Sequence, residues 1–204
     1  MPKVYAIDGI VPVVDPGAFV HPSAVLIGDV LVSARAYIGP CASLRGDFGR
    51  IVVEEGANIQ DHCTMHGFPG KDTVAGAEST IGHGAILHGC VVRRGALVGM
   101  NCVVNDNAEV GEDAVIAALA FVKAEPRIPA RSLAAGIPAR VLRELSEDEL
   151  RWKRDNMRLY QQLVVRSANT MTLVEALTSP ERGRPRFDIP GAVPLSDMKK
   201  DRVA

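Results

Sequence analysis

The stretch ALVGMNCVVNDNAEVGEDAVIAALAFV, Ala96 to Val122, decides how the chain folds. Small residues stand at Ala96, Cys102, Ala108, Ala114 and Ala120, and an aliphatic follows two positions after each, at Val98, Val104, Val110, Ile116 and Val122. Alternation over so short a distance is strand-like: the small and the aliphatic residue point to one side and their neighbours to the other. Gly, Asn and Asp fill the gaps, where a chain turns.

The spacing continues outward from this stretch. Upstream the aliphatic positions are Val20, Leu26, Val32, Ile38 and Leu44, then Val53, Ile59 and Met65, then Ile81 and Leu87; downstream Ile128 is the last. Their small companions are Ala18, Ala24, Ala36, Ala42, Ala57, Cys63 and Ala85. No stretch from 18 to 135 holds a helical period. Short alternating strands also build β-sandwiches, but a period of six kept over such a length reads as the rungs of a solenoid in which each coil buries the face of the next. Three hexads make a triangular coil, which predicts about six coils.

With 204 residues and 47% hydrophobic content, the chain suits one domain with a modest appendage. The expected division is a β-helix over 1–140 and a C-terminal helix and tail over 141–204. Ile128-Pro129 and Gly136-Ile137-Pro138 close the solenoid, and Ser146-Glu147-Asp148-Glu149 is a capping box. Leu150, Met157, Leu159, Leu163, Val164, Ala168, Met171, Val174 and Leu177 predict one long amphipathic helix or two shorter ones, packed along the outside of the solenoid. From Pro180 to Ala204 the chain is rich in Pro, Gly and charge, a tail expected to order only against another surface.

A formal charge of −1 and 4% aromatic residues argue against a nucleic-acid partner, which calls for a basic, aromatic-studded face. The opening MPKVYAIDGI has no apolar stretch of signal-peptide length and no run approaches a membrane span, so the cytoplasm is the expected location and no membrane is expected as partner. Cys63 and Cys102 occupy the inward small-residue slot and read as core packing; Cys41 and Cys90 fall near turns, and reduced thiols are expected.

Stacking the coils places Leu44, Met65, Leu87, Val104 and Val122 one above the next, so the residues after them form an outward column: Arg45, His66, His88, Asn105 and Lys123. Coils lie about 4.8 Å apart, and zinc takes imidazole nitrogens at about 2.0 to 2.1 Å, so His66 and His88 are placed to chelate one ion. His83 falls at another corner and faces away. A third ligand could come from His83 of the partner subunit, and a closed ring of three would give every interface two histidines from one chain and one from its neighbour. Three histidines with an open fourth position is the catalytic zinc pattern, although histidine accepts iron or cobalt as well. The competing reading of five scattered histidines is ordinary surface.

Arg45-Gly-Asp47, Asn58-Ile-Gln60-Asp61, His66 and Gly82-His83-Gly-Ala-Ile-Leu-His88-Gly-Cys90 resemble the signature of the gamma-class carbonic anhydrase homologues among the hexapeptide-repeat proteins. Leu44-Arg-Gly-Asp-Phe-Gly-Arg-Ile-Val-Val53, Met65-His-Gly-Phe-Pro69 and Leu142-Arg-Glu-Leu-Ser146 resemble, more narrowly, the CaiE/PaaY group, the phenylacetic acid degradation branch first and the carnitine-operon branch close behind. The resemblance implies coils that wind left-handed, hence a left-handed parallel β-helix. It implies His66, His83 and His88 as ligands of Zn2+ or another divalent ion such as Fe2+ or Co2+, shared across the interfaces of a homotrimer. Arg45 and Asp47 would form the ion pair at that interface and Gln60 would hold the metal-bound water. Asn105 is placed beside the metal by the column alone.

The chain departs from the anhydrase pattern at Phe48, where the archetype carries a glutamate, and the residues after His66 read Gly-Phe-Pro-Gly-Lys, without an acidic proton shuttle. Asp72 and Glu78 lie further along and are not placed by sequence. Carbon dioxide hydration should therefore be slow or absent, whereas zinc can still activate water and polarise a carbonyl. The resemblance to the CaiE/PaaY group implies a metal-dependent acyl-CoA thioesterase for aromatic or ring-derived CoA thioesters of phenylacetate degradation. The alternatives are a gamma-type carbonic anhydrase, a hexapeptide acyltransferase with one histidine as general base, and a structural trimer stapled by zinc. Arg182, Arg184, Arg186, Lys199 and Lys200 are candidates for coenzyme A phosphates, with a solvated basic tail as the equal alternative.

Overall fold

Each hexad becomes one side of a triangular coil in the computed structural model, which describes residues 2–190 together with Ala192 and Asp197. One face stacks Phe19–Val20, Tyr37–Ile38, Asn58–Ile59, Thr80–Ile81, Leu97–Val98, Val115–Ile116 and Ser132–Gly136. A second stacks Thr64–His66, Ile86–His88, Val103–Val104 and Phe121–Val122 on the first halves of the long strands Val25–Val32 and Ser43–Val53. Those long strands turn the corner, and their second halves follow Val13–Val14 on a third face that continues through Thr73–Ala75, Val91–Val92, Glu109–Val110 and Arg127–Ile128. All of this pairing is parallel, and the fold is the parallel β-helix.

The small and aliphatic residues of each hexad point inward, and the column from Ala24 and Leu26 to Ala120 and Val122 is buried throughout. Corners are held by residues in the left-handed region, among them Arg35, His62, Asn101 and Leu119, with φ between 54° and 63°. That conformation costs an L-residue roughly 1–2 kcal/mol. It is offset where the corner amides of Asn101 and Leu119 donate to the His83 and Met100 carbonyls of the coil before.

The first face holds eight strands, of which the last is antiparallel, so seven coils stack where the hexads counted about six. The extra coil was hidden because Ser132–Gly136 carries Ala134, not a larger aliphatic, against Ile116. The chain then reverses, and Ala139–Glu144 pairs antiparallel to close the stack, carrying β-structure past residue 140.

A single helix, α1 (Glu147–Thr170), follows; Ser146 and Glu149 form the capping box. It crosses the first face, with Val164, Tyr160 and Leu163 against Phe19 and Tyr37. Helix α1 stops at Thr170, so Met171, Val174 and Leu177, read from sequence as part of its apolar stripe, are exposed instead. The reason is geometric: Val164 already reaches Phe19, on the first coil of that face, and no rung lies beyond to bury another turn. Further on, Phe187 lies under the Arg166 guanidinium at 5.3 Å. Lys199 and Lys200 lie outside the described residues. Among the described residues no helix is long and apolar enough to cross a membrane.

Lys153 fastens α1 to the coils. Its side chain is 2% exposed, and its ammonium donates to the Gly95 carbonyl and, at 2.5 Å, to Asp113. Burial outweighs the attraction of Asp113 and lowers the Lys153 pKa. The pair thus fixes where the helix docks without adding much net stability. Asp113→Asn, which strands the ammonium, is expected to cost about 3 kcal/mol or more, whereas Lys153→Met costs about 1 kcal/mol or less. Denaturant unfolding of the two variants checks this, and equal losses contradict it.

Candidate metal centre

Parallel register brings His66 and His88 together. Leu44 aligns with Met65, Met65 with Leu87, Leu87 with Val104 and Val104 with Val122, and His66 is the direct partner of His88. His66 Nδ1 lies 3.1 Å from His88 Nε2. Two imidazole nitrogens at about 2.0 to 2.1 Å from one tetrahedral zinc lie about 3.3 Å apart, so the pair has the spacing of two ligands of a common ion.

Carboxylates occupy the other ring nitrogens. Asp47 Oδ1 is 3.1 Å from His66 Nε2, and Asp106 Oδ1 is 2.5 Å from His88 Nδ1. His83 stands at a different corner, where Asp61 Oδ2 is 2.7 Å from its Nδ1. A carboxylate on one imidazole nitrogen holds the hydrogen there and leaves a lone pair on the other, the outer arrangement usual for histidines that bind metal. The nitrogens not facing a carboxylate are His66 Nδ1, His88 Nε2 and His83 Nε2. Among the described residues no three His, Cys, Asp or Glu side chains of one chain converge on a single point fit for an ion.

Arg45 Nη1 donates to Asp47 Oδ2 at 2.6 Å within the chain. Burial by itself raises the Asp47 carboxyl, but the Arg45 hydrogen bond and charge, with a further hydrogen bond from His66, hold it below the usual carboxylate range. A Cβ on Gly46, the residue between them, would meet the Asp29 carbonyl oxygen at 2.3 Å; only glycine lets the strand run so close to its neighbour.

Gln60 belongs to the His83 corner. It is 6% exposed, accepts the His83 amide through Oε1 at 3.1 Å and donates through Nε2 to Asn58 Oδ1 at 3.1 Å. Its amide therefore positions the turn that carries His83. Beside that turn an apolar groove of about 500 Å3, lined by Leu97, Met100, Val115, Trp152 and Tyr160, runs between α1 and the coils. Asn105 stands one rung beyond His88, partly buried, but the contact with His88 is made by the next residue, Asp106.

Phe48 is exposed, with its ring 5.5 Å from that of His66. Asp72 is exposed on the loop after Phe68, and Glu78 is paired with Arg94 at 3.1 Å. His21 bonds Ser23 at 2.8 Å, apart from the site. In the tail Arg182 and Arg186 are exposed and Arg184 pairs with Glu181 at 2.6 Å. Cys63, Cys90 and Cys102 are buried and Cys41 is exposed, all four as free thiols; burial pushes Cys63 and Cys90 up to about 12, which suits packing rather than chemistry.

Sequence reasoning missed Asp106 and Asp61 as histidine partners, and Phe68, which meets the His88 ring edge-on at 4.9 Å. The two aspartates had a signal: each follows a column residue or precedes a corner, one rung from a histidine. Phe68 had none, since it lies on a loop outside the repeat.

No protein-family model matches the chain. The carnitine operon protein CaiE of Escherichia coli O81 (strain ED1a) is 57% identical over 183 residues, covering 90% of this chain and 93% of its own. A hexapeptide transferase family protein from Anaplasma phagocytophilum superposes with a TM-score of 0.77 at 36% identity, over 80% of this chain and 96% of that one. A Bacillus cereus chain provisionally assigned as an acetyltransferase superposes with a TM-score of 0.78 at 31% identity, over 79% of this chain and 94% of that one. With its repeat, its coils and this identity taken together, the chain belongs to the CaiE/PaaY group of hexapeptide-repeat proteins.

Proposed function

We propose that the protein is a homotrimeric, metal-dependent hydrolase of acyl-CoA thioesters with aromatic or ring-derived acyl groups, acting in the cytoplasm. The observation that carries the reading is the 3.1 Å approach of His66 Nδ1 to His88 Nε2, with a carboxylate on the opposite nitrogen of each ring. His83 of the partner subunit, prepared in the same way by Asp61, completes the set in a closed ring. A divalent ion so held supplies a Lewis acid for the thioester carbonyl and an activated water near neutral pH; zinc, iron and cobalt all suit the donor set.

The chain's own residues do the rest. Asp47 and Asp106 orient the two imidazoles, Arg45 anchors Asp47, and Gln60 sets the turn bearing His83. Phe48 brings no carboxyl to the side of His66, which leaves rapid carbon dioxide hydration without a proton carrier. Thioester cleavage releases a thiolate, which departs without needing a proton. Coenzyme A as the carrier, and the phenylacetate context, follow from the resemblance to the CaiE/PaaY group.

A second reading has its own observation: the His83–Asp61 pair at 2.7 Å, at the edge of the apolar groove, has the form of an oriented general base. In an acyltransferase of that kind the metal is dispensable.

Purified protein is expected to contain a divalent metal in stoichiometric amount and to release thiol from CoA thioesters, with chelation abolishing turnover and zinc restoring it. Turnover that survives complete removal of metal, together with acyl transfer to an amine or alcohol, decides for the acyltransferase. Co-assembly of His66→Ala subunits with His83→Ala subunits should restore metal binding to some interfaces, because one variant then supplies His66 and His88 and the other His83; mixed trimers that stay metal-free exclude a shared site. Asp106→Asn and Asp61→Asn should each weaken metal affinity about 10- to 100-fold while thermal unfolding in chelator changes little. Metal titrations that match the wild type would remove both carboxylates from the centre.

A further inference from the structure

The solenoid lengthens its hexad spacing twice on the flank that carries His66 and His88. Between Leu44 and Val53 the long strand bulges through Asp47 to Arg50, and between His66 and Thr73 the chain makes a loop. Each excursion carries an exposed phenylalanine. Phe48 is 61% exposed with its ring 5.5 Å from His66; Phe68 is 47% exposed and stands edge-on to His88 at 4.9 Å.

The backbone beneath both rings is closely packed. A Cβ on Gly49 would lie 2.3 Å from the Phe68 carbonyl oxygen and 2.6 Å from that of Lys71, so the two excursions pack backbone to backbone at a glycine. The base of the second is pinned where Thr73 Oγ1 donates to the His66 carbonyl at 2.7 Å and accepts the Gly89 amide at 3.0 Å. The Lys71 amide closes its tip onto the Phe68 carbonyl. Two large apolar rings thus rise from anchored backbone beside the paired imidazoles, in a surface whose neighbours are charged. A ring so placed gains from covering flat apolar surface, and its two side-chain torsions leave little entropy to lose.

We infer that Phe48 and Phe68 form a clamp that receives the acyl group beside the His66–His88 pair and selects planar, apolar acyl groups over acetyl. The inference rests on the proposed hydrolase reading for its substrate, and gives that reading its specificity-determining residues. The two rings bind; they transfer no proton and hold no ion.

The test is the ratio of kcat/KM for benzoyl-CoA to that for acetyl-CoA in Phe48→Ala, Phe68→Ala and the corresponding leucine variants, with metal content and subunit mass measured on each. The ratio should fall about tenfold for each ring removed, with leucine giving a smaller fall. A parallel calorimetric titration of the metal-loaded protein with benzoate and with acetate should show the wild-type preference for benzoate lost in the alanine variants. If the wild type cleaves thioesters and the ratio does not move, the clamp is wrong and the hydrolase stands. If the wild type cleaves neither thioester but prefers benzoate through these rings, the hydrolase is wrong and the clamp stands. Alanine and leucine variants that all lose the trimer or the metal assign the rings to subunit packing and overturn the inference.

Discussion

The buried ladder of Leu44, Met65, Leu87, Val104 and Val122 fixes the register of each coil on the next, and every outward group takes its place from it. A strand slipped by one residue would turn its aliphatic to solvent and its histidine to the core. The energy that opposes such a slip is the burial of one aliphatic side chain per rung, about 1.5–3 kcal/mol each. That is enough, repeated along the stack, to hold two imidazoles opposed at 3.1 Å although neither position is chosen by local propensity.

A solenoid of this kind makes its chemistry from columns and corners. The column on one face supplies His66 and His88; the next corner supplies His83 with Asp61 from the coil before. Because the two features lie on different edges of one triangle, a single chain brings His66 and His88 together and leaves His83 apart. The carboxylates complete the preparation: each imidazole has one nitrogen committed to an aspartate and one directed elsewhere.

Departures from the repeat are where individuality enters. The excursions at Asp47–Arg50 and after His66 interrupt the hexads next to the paired histidines, and Gly49 lets one lie against the other. Helix α1 plays a different part. It covers the first face with Leu150, Met157 and Val164, is fastened by Lys153, and ends when it reaches the first coil.

The period of six, with its small and aliphatic positions, determined the coiled fold, the inward residues, the column holding His66 and His88, the separate place of His83, and the start of the helix at Ser146. These are legible because each depends on a repeat or on a cap, both local in sequence. The seventh coil escaped since Ala134 fills its aliphatic slot, and the helix end escaped because Thr170 is set by the height of the stack rather than by the apolar residues that follow. The Asp106 and Asp61 contacts, the packing of Gly49 under Phe68, and the edge of Phe68 on His88 were decided only in three dimensions. They join residues from different coils or from loops outside the period, where the path of the backbone, and not the spacing of residue types, determines which side chains meet.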